Sequence, residues 1–463
     1  VLARPTVPAW FFLVLVSVYL ATAHYGGDVV NDVHSAAHAA WSLATRGTLD
    51  LTGLDLPYDQ AWVVEVGDAE YSNRFPGVIA AAVPLYALAR PELPLVWPSA
   101  ASAAVAAAVG VTAVLVGLRR LVPHRHALAG AAFLGLGTGV WAVGADGLWG
   151  HGITTMWLGL ACAGLACGSR GRALAAVAAA GAVLTRPHLG VGLVVAAAVL
   201  WRRDRAGAVA LAVGSAAGGA AFLLYGRLLF GEWSLTGGYD PAFLDVTRVG
   251  ELDSDQDPVL WRLLNLGHAV MATRVGILPA YPVLVPIVWA LAKVARSVPR
   301  ATLAWAVGAV VYVVLQLAMN RVSGGAGFWG NRVLVEAVVL AWPLAAAAVA
   351  VHAGGRLWRA VFAVTTAWTV GFHALGSIGP SPAVSDPDEP GNPWFWQVPW
   401  ALAETEPWRL AVVAAMAPAA GSLAWILTRS RADVRPTEPG GDTVTGEDRV
   451  REPVRETERA RRR

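Results

Sequence analysis

The sequence predicts an all-α polytopic membrane protein with about twelve transmembrane helices and a large first external loop that carries juxtamembrane and re-entrant helices. Three observations predict it. Of the 463 residues, 56% are hydrophobic and only 14% charged, and the mean hydropathy is +0.52, well outside the range of soluble globular domains. Apolar runs of about 17 to 25 residues, long enough to span a bilayer, recur down to Leu427. Between them arginine gathers in clusters: Arg119-Arg120 with Arg125, Arg170 with Arg172, Arg202-Arg203 with Arg205, Lys293 with Arg296 and Arg300, and Arg356 with Arg359. The positive-inside bias puts all of these on the cytoplasmic side.

Taken in order, spanning helices are expected near 8 to 25, 95 to 118, 127 to 145, 149 to 167, 173 to 185 with 188 to 201, 206 to 229, 276 to 292, 301 to 319, 333 to 351, 360 to 376 and 409 to 427. The first apolar run ends in Ala21-Thr22-Ala23, which imitates a signal-peptidase site, but the polar loop that starts immediately after it argues for a retained helix. That loop covers residues 26 to 93. It opens on Asp28 and Asp32, continues as an amphipathic stretch to Gly47, and contains an apolar run from Gly77 to Ala89 interrupted by Pro84. The run is too short to cross and suits a re-entrant or interfacial helix. Leaving it out of the crossings keeps every arginine cluster on one side, with both termini cytoplasmic.

The pair 173 to 185 and 188 to 201 is unusual, because each arm offers roughly 20 Å of helix against a hydrocarbon core of about 30 Å. The link Thr185-Arg186-Pro187-His188 then lies below the outer surface. An arginine there costs about 2.5 to 3.5 kcal/mol unless it faces a wet or anionic cavity, so Arg186 is a site candidate; a tilted pair with a snorkelling arginine is the plain alternative. Other outer loops are 146 to 150, 231 to 275, 320 to 332 and 378 to 408. The acidic run Asp253-Ser254-Asp255-Gln256-Asp257 reads as a solvated loop, and no metal site is assigned. Beyond residue 428 the chain turns polar, mixed in charge and punctuated by Pro and Gly, so 1 to 428 is expected to form the membrane domain and 429 to 463 a disordered cytoplasmic tail.

A net charge of only +3, with arginines dispersed between apolar segments, excludes a nucleic-acid partner. Cys162 and Cys167 share one apolar segment about 8 to 9 Å apart, too far for a disulfide, and read as packing residues.

Several short pieces fall in an order that resembles the GT-C superfamily of integral-membrane glycosyltransferases, specifically bacterial relatives of protein mannosyltransferases. They are Asp32 with Ala39-Ala40-Trp41-Ser42-Leu43, Tyr71-Ser72 with Phe75-Pro76-Gly77 and Pro84-Leu85-Tyr86, Leu148-Trp149-Gly150-His151, Leu184-Thr185-Arg186-Pro187, Leu224-Tyr225-Gly226, and Ser323-Gly324-Gly325 with Phe328-Trp329-Gly330-Asn331-Arg332. The last departs from the family's usual ending, since Asn331 and Val333 flank the arginine. The resemblance implies a polyprenyl-phosphate-linked sugar as donor and a glycan, lipid or protein hydroxyl as acceptor, on the outer face of a bacterial plasma membrane; direct displacement implies inversion, and the sequence assigns no certain cofactor and does not require a divalent metal.

In that chemistry a phosphodiester-linked lipid phosphate leaves without protonation, so the transition state needs a base for the acceptor hydroxyl and cations for the departing phosphate. Asp32 is the expected base, with Asp28 one turn earlier as its competitor and helix N-capping as its plain alternative. Arg186 and Arg332 are the expected donor phosphate-binding residues, guanidinium matching phosphate oxygens with paired donors. His151 is a further candidate donor to the phosphate, and Arg74 and Arg321 are weaker ones. Rival readings are a transporter or flippase for a lipid-linked glycan and a membrane acyltransferase of envelope polymers. A transporter should carry ionisable residues along a route through the membrane, whereas here they gather at the outer ends.

Overall fold

A computed structural model describes residues 6–25, 31–56, 62–234, 236–238, 267, 269–271, 276–319, 329–330, 332–379 and 397–429. Asp28, the 253 to 257 acidic run, Arg321, most of the 323 to 331 motif and the tail after 429 lie outside the described residues.

The first hydrophobic segment forms helix α1, Thr6–Thr22, and the polar loop follows. Its amphipathic stretch is α2, Asn31–Arg46, with Asp32 in the first turn and Val33, Ala36, Ala37 and Ala40 buried along one face. Strands β1, Val63–Val66, and β2, Ala69–Ser72, then pair antiparallel. This hairpin departs from the sequence expectation of an irregular loop. Its connection is Gly67-Asp68, and Gly67 takes φ +63°, as the first central position of a two-residue hairpin turn requires.

Helix α3, Pro76–Ala89, starts from an extended Phe75 with proline in its first turn, and it closes with Arg90 in the left-handed conformation at φ 43°. It packs against α2 and against α4, Trp97–Leu121. The expected helix 127 to 145 divides. Helix α5, His124–Leu136, is followed by a π-helical turn, Val140–Gly144. Thr138 between them donates its hydroxyl to Leu134 O at 2.6 Å and accepts Val140 N at 3.2 Å, diverting the backbone ladder.

Next come α6, Gly150–Ala166, and the two short arms α7, Arg172–Thr185, and α8, Leu189–Leu200. Arg186 between the arms is extended, at φ −148° and ψ 95°, because Pro187 disfavours a helical residue before it. Helix α9, Arg205–Phe230, is capped by Asp204, whose Oδ1 accepts Gly207 N at 2.9 Å, and ends on Gly231 at φ +75°. The expected helix 276 to 292 begins with a single turn, Ile277–Ala280, breaks at Tyr281-Pro282, and resumes as α10, Leu284–Val294. The rest are α11, Arg300–Met319; α12, Val335–Val351; α13, Arg356–Ile378; α14, Gln397–Thr405; and α15, Pro407–Leu427.

Among the described residues six helical stretches are long and apolar enough to cross a membrane: Trp97–Leu121, Arg205–Phe230, Arg300–Leu317, Arg332–Val351, Arg356–Ile378 and Pro407–Leu427. The central ones are also the best covered. Helix α4 packs on α6, α6 on α7, α7 on α9, and α8 and α12 flank α11, which brings the arginine-bearing segments before α8 and α12 near one another.

Candidate active site

Asp32 leaves the first turn of α2 and meets two arginines from distant parts of the chain. Its Oδ2 lies 3.3 Å from Arg332 Nη1, at the start of the segment leading into α12, and 3.4 Å from Arg74 Nη1, between β2 and α3. All three side chains are largely covered yet keep an exposed edge. Both guanidinium contacts converge on one oxygen, and Oδ1 has no ion-pair partner among the described residues.

Each arginine is also set by an indole. Arg74 sits over Trp62 at 4.4 Å and bonds Asn73 Oδ1 through Nε at 3.0 Å; Arg332 sits over Trp149 at 4.6 Å. Such stacking holds the guanidinium plane while leaving its edge for anions. The hairpin that carries Arg74 is fastened to α2 by Ser35, whose hydroxyl lies 2.6 Å from that of Ser72 and 3.2 Å from Trp62 O.

A second cluster adjoins the first through Trp149-Gly150-His151. Arg186 bonds Glu336 Oε1 through Nε at 3.0 Å, His151 Nδ1 bonds the same oxygen at 2.8 Å, and the Tyr312 hydroxyl donates to Oε2 at 2.9 Å. Glu336 and His151 are buried, while Arg186 keeps an exposed edge. The anion that offsets Arg186 within the chain is therefore Glu336, which the sequence reading passed over. His151 also differs from expectation in its surroundings, because both ring nitrogens are engaged inside the cluster, Nε2 lying 2.9 Å from Arg186 Nη2.

The signal for Glu336 was present: it is the sole ionisable residue in the apolar run from Val333 to Val351. Tyr312, on α11, carried no comparable mark. Trp149 stood inside a quoted motif without an assigned role.

Helix α3 fixes the height of this second cluster. A Cβ on Gly77 would fall 2.5 Å from Thr185 Oγ1 and 2.6 Å from Thr185 N, so only glycine lets α3 close against the end of α7, beside Arg186. Other motif residues serve packing. Tyr71 and Tyr225 meet Phe230 edge-on, Phe75 meets Phe222, and Trp329 packs on Phe372 while its indole N–H donates to Phe372 O at 2.8 Å. No group of three or more His, Cys, Asp or Glu side chains suited to a metal occurs among the described residues.

No family model matches the chain, and no curated protein does. Solved structures similar to it include ArnT from Cupriavidus metallidurans bound to undecaprenyl phosphate, at 16% identity and a TM-score of 0.48, covering 92% of this chain and 77% of that one. The apo state of the same protein gives 15% identity and 0.49, covering 91% and 76%. The Archaeoglobus fulgidus oligosaccharyltransferase AglB, in complex with an inhibitory peptide and a dolichol-phosphate, gives 10% identity and 0.36, covering 93% and 56%.

Proposed function

We propose that this chain is a GT-C-type glycosyltransferase that moves a sugar from a polyprenyl-phosphate donor to an acceptor hydroxyl at the outer face of a bacterial plasma membrane. The observation that carries this reading is the pairing of Asp32 with Arg332 and Arg74, beside Arg186, at one end of the helices. A carboxylate with one oxygen held by cations, and the other without an ion-pair partner among the described residues, is equipped to take a proton where an anion is also bound. Charges gathered in one place also suit an enzyme better than a carrier, which needs them spread along a route.

In the proposed reaction Asp32 Oδ1 takes the proton of the acceptor hydroxyl. The freed oxygen lone pair forms the new bond at the anomeric carbon from the face opposite the phosphate. The bond between that carbon and the phosphate oxygen breaks, and its electron pair leaves with the lipid phosphate, which Arg332 and Arg186 stabilise as its charge grows. Displacement from the opposite face inverts the anomeric centre. His151 acts here as a holder of Arg186 rather than as a direct ligand, because a nitrogen facing a guanidinium N–H must accept.

The test is a panel of purified polyprenyl-phosphate sugars, presented with membrane extract as acceptor to the protein in nanodiscs. Transfer of one radiolabelled sugar is expected. Movement of a lipid-linked glycan across proteoliposomes without any transfer would install the flippase reading instead.

A further inference from the structure

We propose that Glu336 is the positioning residue of the donor site: its buried carboxylate holds Arg186 in one orientation, so that the guanidinium meets the lipid phosphate ready-placed. The inference rests on the glycosyltransferase reading and adds to it a residue that touches neither substrate. A carboxylate in an apolar helix carries a desolvation penalty that is recovered only where good geometry satisfies its lone pairs. Glu336 is fully buried and its oxygens are satisfied by Arg186, His151 and Tyr312, contributed by three different segments.

The hydrogen-bond directions follow from chemistry. Arg186 Nη2 can only donate, so His151 Nε2 carries a lone pair and accepts from it. The ring proton therefore sits on Nδ1 and is donated to Glu336 Oε1. Glu336 thus holds Arg186 twice, directly at Nε and indirectly through the tautomer of His151, and two fixed nitrogens define the guanidinium plane. Glu336 also follows Arg332 by four residues, across the short 3-10 turn Arg332–Leu334 that leads into α12, so one stretch of chain sets the spacing between the arginine at Asp32 and the arginine that Glu336 holds.

Three accounts of Glu336 differ in the sign of one measurement. A bystander charge near a phosphate site repels the anion, so its removal tightens binding. A residue that serves only the fold leaves the affinity of whatever protein remains folded unchanged. A positioning residue weakens binding when neutralised, although the site has become more cationic.

The probe is undecaprenyl phosphate, titrated into the full-length protein in nanodiscs by tryptophan fluorescence, with thermal unfolding measured in parallel. If wild type does not bind the probe, the donor reading fails before any variant is made. Given wild-type binding, Glu336→Gln is expected to weaken it about tenfold, and Arg186→Gln combined with Glu336→Gln should be no weaker than Arg186→Gln alone. Glu336→Gln that binds the probe as well as wild type, or better, overturns the proposal. Should Glu336→Gln not fold, Tyr312→Phe removes one hydrogen bond to the carboxylate and no charge; a loss of about two- to tenfold is expected, and unchanged affinity in that folded variant overturns the proposal equally.

Discussion

In the proposed reaction Asp32 both pairs with arginines and accepts a proton; the observed arginine contacts both fall on Oδ2, which leaves Oδ1 for the proposed proton transfer. Asp32→Asn keeps the shape and still offers an oxygen to Arg74 and Arg332, but the amide has no basicity. Turnover is therefore expected to fall by about 10² or more, while affinity for the lipid phosphate holds or rises because the arginines lose a competing anion. Single-turnover kinetics beside probe binding separate the two effects. A variant retaining more than about a tenth of wild-type turnover would take the base role away from Asp32. At this scale the sequence was partly legible. Asp32 and Arg332 stand where loop meets helix, which is readable, but no pattern announces that residues 300 apart share a hydrogen bond. Glu336 was legible as a lone charge in an apolar run, but its partners Arg186, His151 and Tyr312 are distant in sequence, so its role was not.

Among the elements, α3 is seated by a glycine contact directly beside the site. Gly77→Ala places a methyl group against the Thr185 backbone, which cannot rotate away as a side chain end does. Overpacking of this kind costs about 1 to 3 kcal/mol, and because Arg186 is the next residue, the displaced α7 end should also weaken donor binding. A drop in melting temperature with unchanged donor affinity would mean that α3 serves stability alone.

The anchor of α1 makes a second element-scale prediction. His24, two residues past the end of α1, pairs with Asp146 at 2.5 Å and lies 3.3 Å from Gly379 O through its other nitrogen. Burial pulls the His24 imidazolium below its ordinary value, but the hydrogen bond and charge of Asp146, helped by the bond to Gly379 O, hold it above in spite of burial and of Arg409. Burial lifts the Asp146 carboxyl as well, with His24 drawing it part of the way back. For a histidine raised in the fold, the stabilisation is complete below its unfolded value of about 6.5 and disappears as pH rises through the folded value. Melting temperature should therefore decline as pH rises above about 6.5, more steeply in wild type than in His24→Asn. Parallel slopes in the two proteins would remove this pair from the account.

For the molecule as a whole, helices were legible where composition decides them and obscure where local chemistry does. Apolar length alone located α4, α9 and α11 to α13 to within a few residues. The division after α5 depends on one threonine hydroxyl and the break before α10 on Tyr281-Pro282, both of which disappear in a hydropathy average. The hairpin at Gly67-Asp68 had a usable turn signal and a β-branched first strand, but each strand is only four residues long, too short for alternation to stand out.

Orientation follows from the arginine clusters only if α3 does not cross. Its 14 residues give about 21 Å of helix, short of a hydrocarbon core of about 30 Å, and it packs against α2, α4, α6 and α7. The prediction is that, with Cys162 and Cys167 replaced, a cysteine at exposed Asp68 labels in intact cells, whereas cysteines at exposed His124 and Ser297 label only after permeabilisation. Ser72, in the same loop, is unsuitable because its side chain is buried against Ser35. Labelling of position 124 from outside would make α3 a full crossing. Every later segment would then change sides, and Asp32 and Arg332, which touch, would have to be reached from opposite faces of the membrane. That contradiction is what makes the experiment decisive for the site as well as for the topology.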